Sequence, residues 1–232
     1  PVHETVVLGF LGLTFWAYLN WSQTSQNRYF FITLTGLLLS QLTSWSGFYL
    51  SVYLPMHAFI FNRIFWRQHQ HQLLIIFSLA PLIFILHNLH MYWLVGRQAQ
   101  QSLWEGMLFR LNIGAAAKTY DLTTSKFIEQ QVKDIFTYFT SVMVVLAFVW
   151  LVLTIAKMMS RQKLTLPYSF LGLLLVFGFT HNAVFRNLAF IHDYMLIYAL
   201  PFFTLASATI LSNIYEKLAK KTIFALPLLL IV

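Results

Sequence analysis

Cysteine is absent from the 232 residues. That excludes disulfides, thiolate metal ligands and a cysteine nucleophile, and it leaves the redox compartment unread. Charge is nearly as scarce, at 9% of residues, against about 25% in a soluble domain. A water-facing surface therefore cannot be built from this chain in the usual way. No basic n-region with a cleavage site, internal repeat, low-complexity tract or soluble-domain boundary is visible. What is abundant is apolar: 59% of residues are hydrophobic, 23 are phenylalanine, and mean hydropathy is +0.68. Such a composition belongs to an integral membrane protein, whose lipid-facing helices can be apolar all round.

Apolar segments fall at 6–21, 29–42, 47–61, 73–95, 136–156, 167–185 and 194–211, with a further run, TIFALPLLLIV, at 222–232. The expected fold is all-α, a polytopic transmembrane helix bundle of about seven spans plus a truncated eighth. At about 1.5 Å per residue the last run falls well short of roughly 30 Å of hydrocarbon. With Pro1 in place of methionine, residues 1–232 read as a transmembrane domain fragment from a longer protein whose N-terminal part is missing.

The segments 29–42 and 47–61, separated by TSWSG (43–47), are too long together for one untilted span and short for two. Loop charge decides between these. If both arms span, one side holds Arg28, Arg63, Arg67, Lys157, Arg161, Lys163, Lys217, Lys220 and Lys221 with Glu216 as its only acid. The other side balances Arg97, Arg110, Lys118, Lys126, Lys133 and Arg186 against Glu4, Glu105, Asp121, Glu129, Asp134 and Asp193. The whole formal charge of +8 then lies on one face in short loops, which the positive-inside rule makes cytoplasmic. This basicity reports topology rather than nucleic-acid binding, because no basic domain with stacking aromatics accompanies it.

One long external segment, 97–135, remains. Its latter part reads as an amphipathic helix on the external membrane surface, capped by Thr124 or Ser125. Phe127, Ile128, Val132 and Ile135 form its apolar stripe, and Glu129 and Lys133 an i, i+4 pair.

The histidines are read one by one. His69 and His71 lack an acidic partner and do not make a metal site. His57 reads as a helix-packing histidine. His87 and His90, at i and i+3, either line a polar cavity or hydrogen-bond a neighbouring helix, and the second is preferred. Thr180, His181 and Asn182 form a polar stripe leading to Arg186.

The densest charge cluster is RNLAFIHDYMLIYALP, 186–201. On one reading Asp193 caps the helix starting near Tyr194, Arg186 pairs with it, and Tyr194 and Tyr198 are interfacial aromatics. On the other, Arg186 and His192 present donors to a phosphate or pyrophosphate head group, for which the planar guanidinium fork is suited. Spacing leaves both open.

The stretch FRNLAFIHDYMLIYALPFFTLASATIL (185–211) resembles the late segment of dolichyl-phosphate-mannose–protein mannosyltransferase-like glycosyltransferases of the GT-C fold. The shared pattern is an arginine, then His-Asp-Tyr, then an aromatic-rich helix with Leu-Pro. FFITLTGLLLSQLTSWSGFYLSVYLPMHAFIF (30–61) resembles a second segment of that group, a Gly-Leu-Leu run before a threonine–tryptophan–glycine turn. Ser44 and Ser46 stand where the family carries an acid and a proline, and Met195 where it carries an aromatic.

The resemblance implies a GT-C fold and transfer of a sugar from a polyprenyl-phosphate carrier to a protein, lipid or glycan acceptor at the external membrane face. It implies a bacterial cytoplasmic membrane with the site facing outward and an acidic base in an upstream external loop, so that the fragment alone is inactive. On this view Arg186 and His192 contact the lipid phosphate, Asp193 and Tyr194 orient them, and Arg110 assists from the long loop. No cofactor, metal or nucleic-acid partner is expected. The rival class is a multi-span transporter, lined by His87, His90, His181 and Asn182, or a membrane assembly subunit. A transporter requires polar residues toward the cytoplasmic ends, where 146–156 and 200–211 offer only hydroxyls.

Overall fold

The computed structural model describes residues 2–113 and 122–219. The run 222–232, the loop residues Lys118 and Asp121, the cations Lys220 and Lys221, and the Asp193 side chain lie outside the described residues.

The described residues are helical, with no strand among them. In chain order they form α1 (Val2–Thr24), α2 (Asn27–Thr43), α3 (Ser46–Phe61), α4 (Arg63–Val95), α5 (Arg97–Arg110) and α6 (Thr124–Tyr138). Then follow α7 (Ser141–Met159), α8 (Leu166–Val184), α9 (Arg186–Ile191), a 3-10 segment (Asp193–Ala199) and α10 (Leu200–Ala219). The TSWSG turn separates two helices as expected, with Ser44 and Trp45 between α2 and α3.

Four stretches are long and apolar enough to cross a membrane: Arg63–Val95, Ser141–Met159, Leu166–Val184 and Tyr194–Leu218. Their outer faces are apolar too, with Leu74, Phe77 and Leu82 exposed on α4 and Val142, Val145 and Phe148 on α7. Large continuous apolar surfaces of this kind match lipid rather than water. The chain is thus a membrane-type helix bundle. α2 and α3, at 17 and 16 residues, are each about 25 Å long, below the usual ~30 Å core.

Local chemistry sets the helix ends. Asn62 begins α4 by accepting from the Phe65 amide at 3.3 Å, and Thr140 begins α7 by accepting from Met143 at 3.3 Å. Thr123, one residue before the expected caps, opens α6 by accepting from the Lys126 amide. Pro201 lacks an N–H and so suits the first turn of α10. The expected helix start at Tyr194 is therefore delayed, and Asp193–Ala199 closes with the tighter 3-10 bonding.

Packing runs through α8, which touches α3, the 3-10 segment and α10. α1 and α2 lie antiparallel, with Trp21 against Phe30 at 5.2 Å. α8 and the 3-10 segment come closest at Gly178. A Cβ there would lie 2.7 Å from Ala199 Cα and 2.9 Å from the Tyr198 carbonyl oxygen.

The connections gather at two ends. Asn62 reaches the Ser22 carbonyl at 3.5 Å, and Asn62, Arg63, Arg161 and Lys163 share one pocket; this is the basic end. Glu4, Ser44 and Tyr198 meet at the opposite end, where α5 and α6 contact α9; this is the polar end. Arg186 and Arg110 share the polar end with Glu4, as the charge partition requires.

Gly178→Ala is expected to cost about 1–3 kcal/mol by forcing α8 off the 3-10 segment. Gly172→Ala, whose Cβ meets nothing within 4 Å, is expected to be neutral or slightly stabilising. Unfolding of the two variants in mixed micelles checks this, and equal stabilities would contradict the close approach.

Candidate functional site

The polar end is built around Tyr198, whose side chain is 1% exposed. Its hydroxyl donates a hydrogen bond to Glu4 Oε2 and lies 3.3 Å from Ser44 Oγ. Ser46 Oγ also donates to Ser44 Oγ at 3.3 Å. Glu4 is 4% exposed and sits in the first turn of α1, where the helix dipole favours a carboxylate. Three segments far apart in sequence thereby meet in one buried cluster. Gly47 permits the tight α2–α3 turn that places Ser44, since a Cβ there would lie 2.6 Å from the Gln41 amide nitrogen. The expectation that Tyr198 is an interfacial aromatic is corrected: the 3-10 geometry turns it into the bundle, edge-on to Phe177 at 6.2 Å.

Beside Tyr198 stands His181, its ring 4.9 Å away, with Tyr49 at 6.0 Å. Several buried polar atoms lack partners here. Tyr49 Oη, His181 Nδ1, Asn182 Oδ1, Asn187 Oδ1 and Gln41 Oε1 are buried without hydrogen-bond partners among the described residues. Buried polar atoms in apolar surroundings are costly unless something satisfies them. A small cavity of about 180 Å³ adjoins the cluster, lined by Gln41, Ser44, Trp45, Phe48, His87 and Leu103.

α9 anchors the two helices above this cluster. Asn187 Nδ2 donates to the Phe109 carbonyl of α5 at 2.7 Å. Gln131 Nε2 of α6 donates to the Ala189 carbonyl at 3.4 Å, and its Oε1 accepts from Asn182 at 2.7 Å. α6 turns Phe127, Gln131 and Asp134 inward and leaves Ile128, Val132 and Phe136 exposed. The expected apolar stripe is thus divided, because α6 spends its polar face on α8 and α9 and keeps a row at i, i+4 and i+8 outward.

Arg186 starts α9. Its Nη1 donates to Thr124 Oγ1 at 3.4 Å, and its guanidinium lies 5.6 Å from the Phe127 ring centre. No carboxylate pairs with it among the described residues. A guanidinium has five N–H donors, and among the described residues one of them is matched, by Thr124. His192 terminates α9, about 9 Å further along the helix axis, and its ring lies 5.2 Å from that of Tyr194. Arg110 occupies the last turn of α5, beside the Phe109 carbonyl that Asn187 holds. The structure therefore brings Arg110, Arg186, His192 and Tyr194 to one end without direct contact between Arg186 and His192.

Other histidines divide clearly. His57 is satisfied at both ring nitrogens: Nδ1 lies 2.8 Å from Tyr18 Oη and Nε2 3.0 Å from Ser169 Oγ. The preference for His87 and His90 as inter-helix hydrogen-bonding groups is corrected. α4 turns Leu73, Ile76 and Asn88 inward, which leaves both histidines exposed, with His87 at the rim of the small cavity. His69 meets Gln72 and the ring of Trp21, and no group of metal-binding side chains forms among the described residues.

Sequence reading missed Glu4, Tyr198, Ser44 and Ser46. One signal was present: an acid at the edge of an apolar run needs a buried partner or a polar cavity. Tyr198→Phe and Glu4→Gln are each expected to destabilise, with a double-mutant coupling of about 1–2 kcal/mol from the shared hydrogen bond. Additive effects in mixed-micelle unfolding would contradict the pairing. No family model, curated protein or solved structure matches the chain, so its function rests on this geometry.

Proposed function

We propose that the chain is the membrane part of a glycosyltransferase that moves a sugar from a polyprenyl-phosphate donor to an acceptor at the external membrane face. The observation that carries this reading is the convergence at one end of Arg186, which has no carboxylate partner among the described residues, with a set of buried, unpartnered polar atoms. Both lie beneath the two helices α5 and α6. An anionic lipid head group needs directional cationic donors, and a sugar needs a dense set of neutral hydrogen-bonding groups. Both kinds occur here.

In the proposed mechanism Arg186, assisted by His192 and Arg110, binds the donor phosphate and stabilises the negative charge that grows on it as the anomeric bond breaks. Tyr49, His181 and Asn182 supply sugar-facing groups, and Tyr194 orients His192. The exposed row Ile128, Val132 and Phe136 rests α6 in the external interface. On this reading α1, α2 and α3 also span, in a bilayer locally thin or in tilted geometry, giving seven crossings with the basic end cytoplasmic. The acceptor's base is not assigned to any of these residues. The GT-C resemblance at 185–211 adds weight of its own to this reading.

One observation favours the transporter class instead. Tyr49, Tyr53 and His57 form a polar row at i, i+4 and i+8 on α3, facing Thr180, His181 and Ser169 of α8. However, its inner members are satisfied by one another, Tyr53 with Thr180 at 2.7 Å and His57 with Tyr18 and Ser169. Saturated pairs hold helices together; unpaired groups remain only at the polar end of the row.

In the full-length protein, Arg186→Ala is expected to lower sugar transfer from a labelled polyprenyl-phosphate donor by at least about 100-fold, equivalent to about 2.7 kcal/mol. Membrane expression should be unchanged, and Arg97→Ala, at an exposed position, should stay within about twofold. Normal transfer by Arg186→Ala would sink the assignment.

A further inference from the structure

The basic end carries a second arrangement, remote from Arg186. α3, α7 and α8 leave between them an apolar groove of about 290 Å³, whose walls include Met56, Ile60, Leu151, Ile155, Leu173 and Val176. Met56, Ile60, Ile155 and Val176 are each strongly exposed, so the groove opens on the lipid-facing side. Toward the basic end it runs into a wider pocket of about 500 Å³, and the two share Ile60, Phe61, Met158 and Leu164. The second pocket changes character: its remaining walls are Asn62, Arg63, Ile64, Arg161, Gln162 and Lys163. Three cations face one space that no acidic side chain lines among the described residues.

Local structure fixes those cations. The Arg63 guanidinium lies 3.8 Å from the Phe59 ring centre, a cation–π contact that holds it at the start of α4. Arg161 ends α7 in the left-handed region, φ 56°, with the Gln162 amide donating to the Lys157 carbonyl at 3.0 Å. Glycine is the favoured residue at such a helix end, yet an arginine stands there and projects from the turn between α7 and α8. Lys157 caps the side of the groove over the Tyr168 ring at 3.6 Å. None of Arg63, Arg161 and Lys163 has a carboxylate partner among the described residues.

An apolar channel continuous with a cationic pocket, at the level where helices leave the membrane, has the two-part chemistry of an anionic lipid. We propose that this groove seats an acyl chain of an anionic phospholipid from the leaflet on the basic side, with its phosphate held by Arg63, Arg161 and Lys163. Charge complementarity selects the occupant: a zwitterionic lipid fills the groove but brings an ammonium group against the three cations along with its phosphate, and a free anion matches the cations but leaves the groove empty. The attraction of juxtamembrane cations for anionic lipid is additive, so three convergent ones favour it over a zwitterionic lipid by up to roughly 100-fold. The site is independent of the proposed sugar transfer, which occupies the opposite end.

The test is native mass spectrometry of the full-length protein in detergent, titrated with phosphatidylglycerol, with phosphatidylcholine of the same chains, and with soluble glycerol phosphate. Expected is one phosphatidylglycerol retained at least about tenfold more tightly than phosphatidylcholine, with no retention of glycerol phosphate. The triple change R63Q/R161Q/K163Q, all exposed positions, should abolish the preference between lipids. Gly172→Leu, which projects into open space in the groove, should weaken both lipids and keep their ratio. Equal affinity for the two lipids, an unchanged preference in the triple variant, or glycerol phosphate binding as tightly as the lipid would each overturn the proposal.

Discussion

The buried hydroxyl of Tyr198 is the point on which the polar end depends. Inside an apolar bundle a hydroxyl cannot turn to water, so it must find its partners in the protein. It finds Glu4 on α1 and Ser44 at the α2–α3 turn, and that fixes the ends of three helices relative to one another. Gly178 lets α8 come close enough for this geometry, which in turn sets α9 directly after α8. α9 then holds α5 through Asn187 and α6 through its Ala189 carbonyl. The position of Arg186 is thus a consequence of a hydrogen bond made by a residue twelve positions later in the chain.

Polar side chains in this bundle serve two purposes, separable by whether their bonds are complete. Tyr18, His57 and Ser169 form a closed set, and so do Tyr53 and Thr180. Each closed set joins helices whose apolar surfaces gain little from meeting each other in lipid, where the hydrophobic drive between helices is absent. Tyr49, His181, Asn182 and Asn187 form an open set near Arg186, apart from the single ring nitrogens of Trp21, His69 and Trp150 elsewhere in the bundle. The grouping of a phenol, an imidazole and two amides beside Arg186 distinguishes this end from the scattered ring nitrogens elsewhere. That asymmetry is why an interfacial binding site is preferred to a path through the bundle.

Much of the architecture was legible in the apolar runs and in loop charge. The break at TSWSG, the placement of the long loop and the separation of basic from balanced ends follow from hydropathy length and the distribution of Lys and Arg, properties carried by single residues. The site was legible only in part. Arg186 and His192 stand out because charge is rare, but the pairing of Glu4 with Tyr198 spans almost the whole chain and leaves no local pattern. Asp193 and Tyr194 suggested an α-helical start, whereas Pro201 moves that start to Leu200 and rotates Tyr198 inward. α6 shows the same limit: its apolar residues were visible, but which of them face lipid depends on Gln131 and Asp134 being buried against α9 and its neighbours.

The two ends also differ in how they can hold an anion, and the difference follows from charge density. The basic end concentrates the excess cations of the chain, whose summed field attracts a charged leaflet over a Debye length before any one contact forms. At the polar end acids balance bases in number, so no long-range field gathers anions there. Binding must instead come from directional donors at fixed positions, and Arg186, held over Phe127 and lightly bonded to Thr124, is placed in that way. Under the proposed sugar transfer such balance is an advantage, since a strong net field would retain a released lipid phosphate as firmly as the donor. Diffuse attraction at one face and local, directional contact at the other are therefore complementary uses of the same few charged residues.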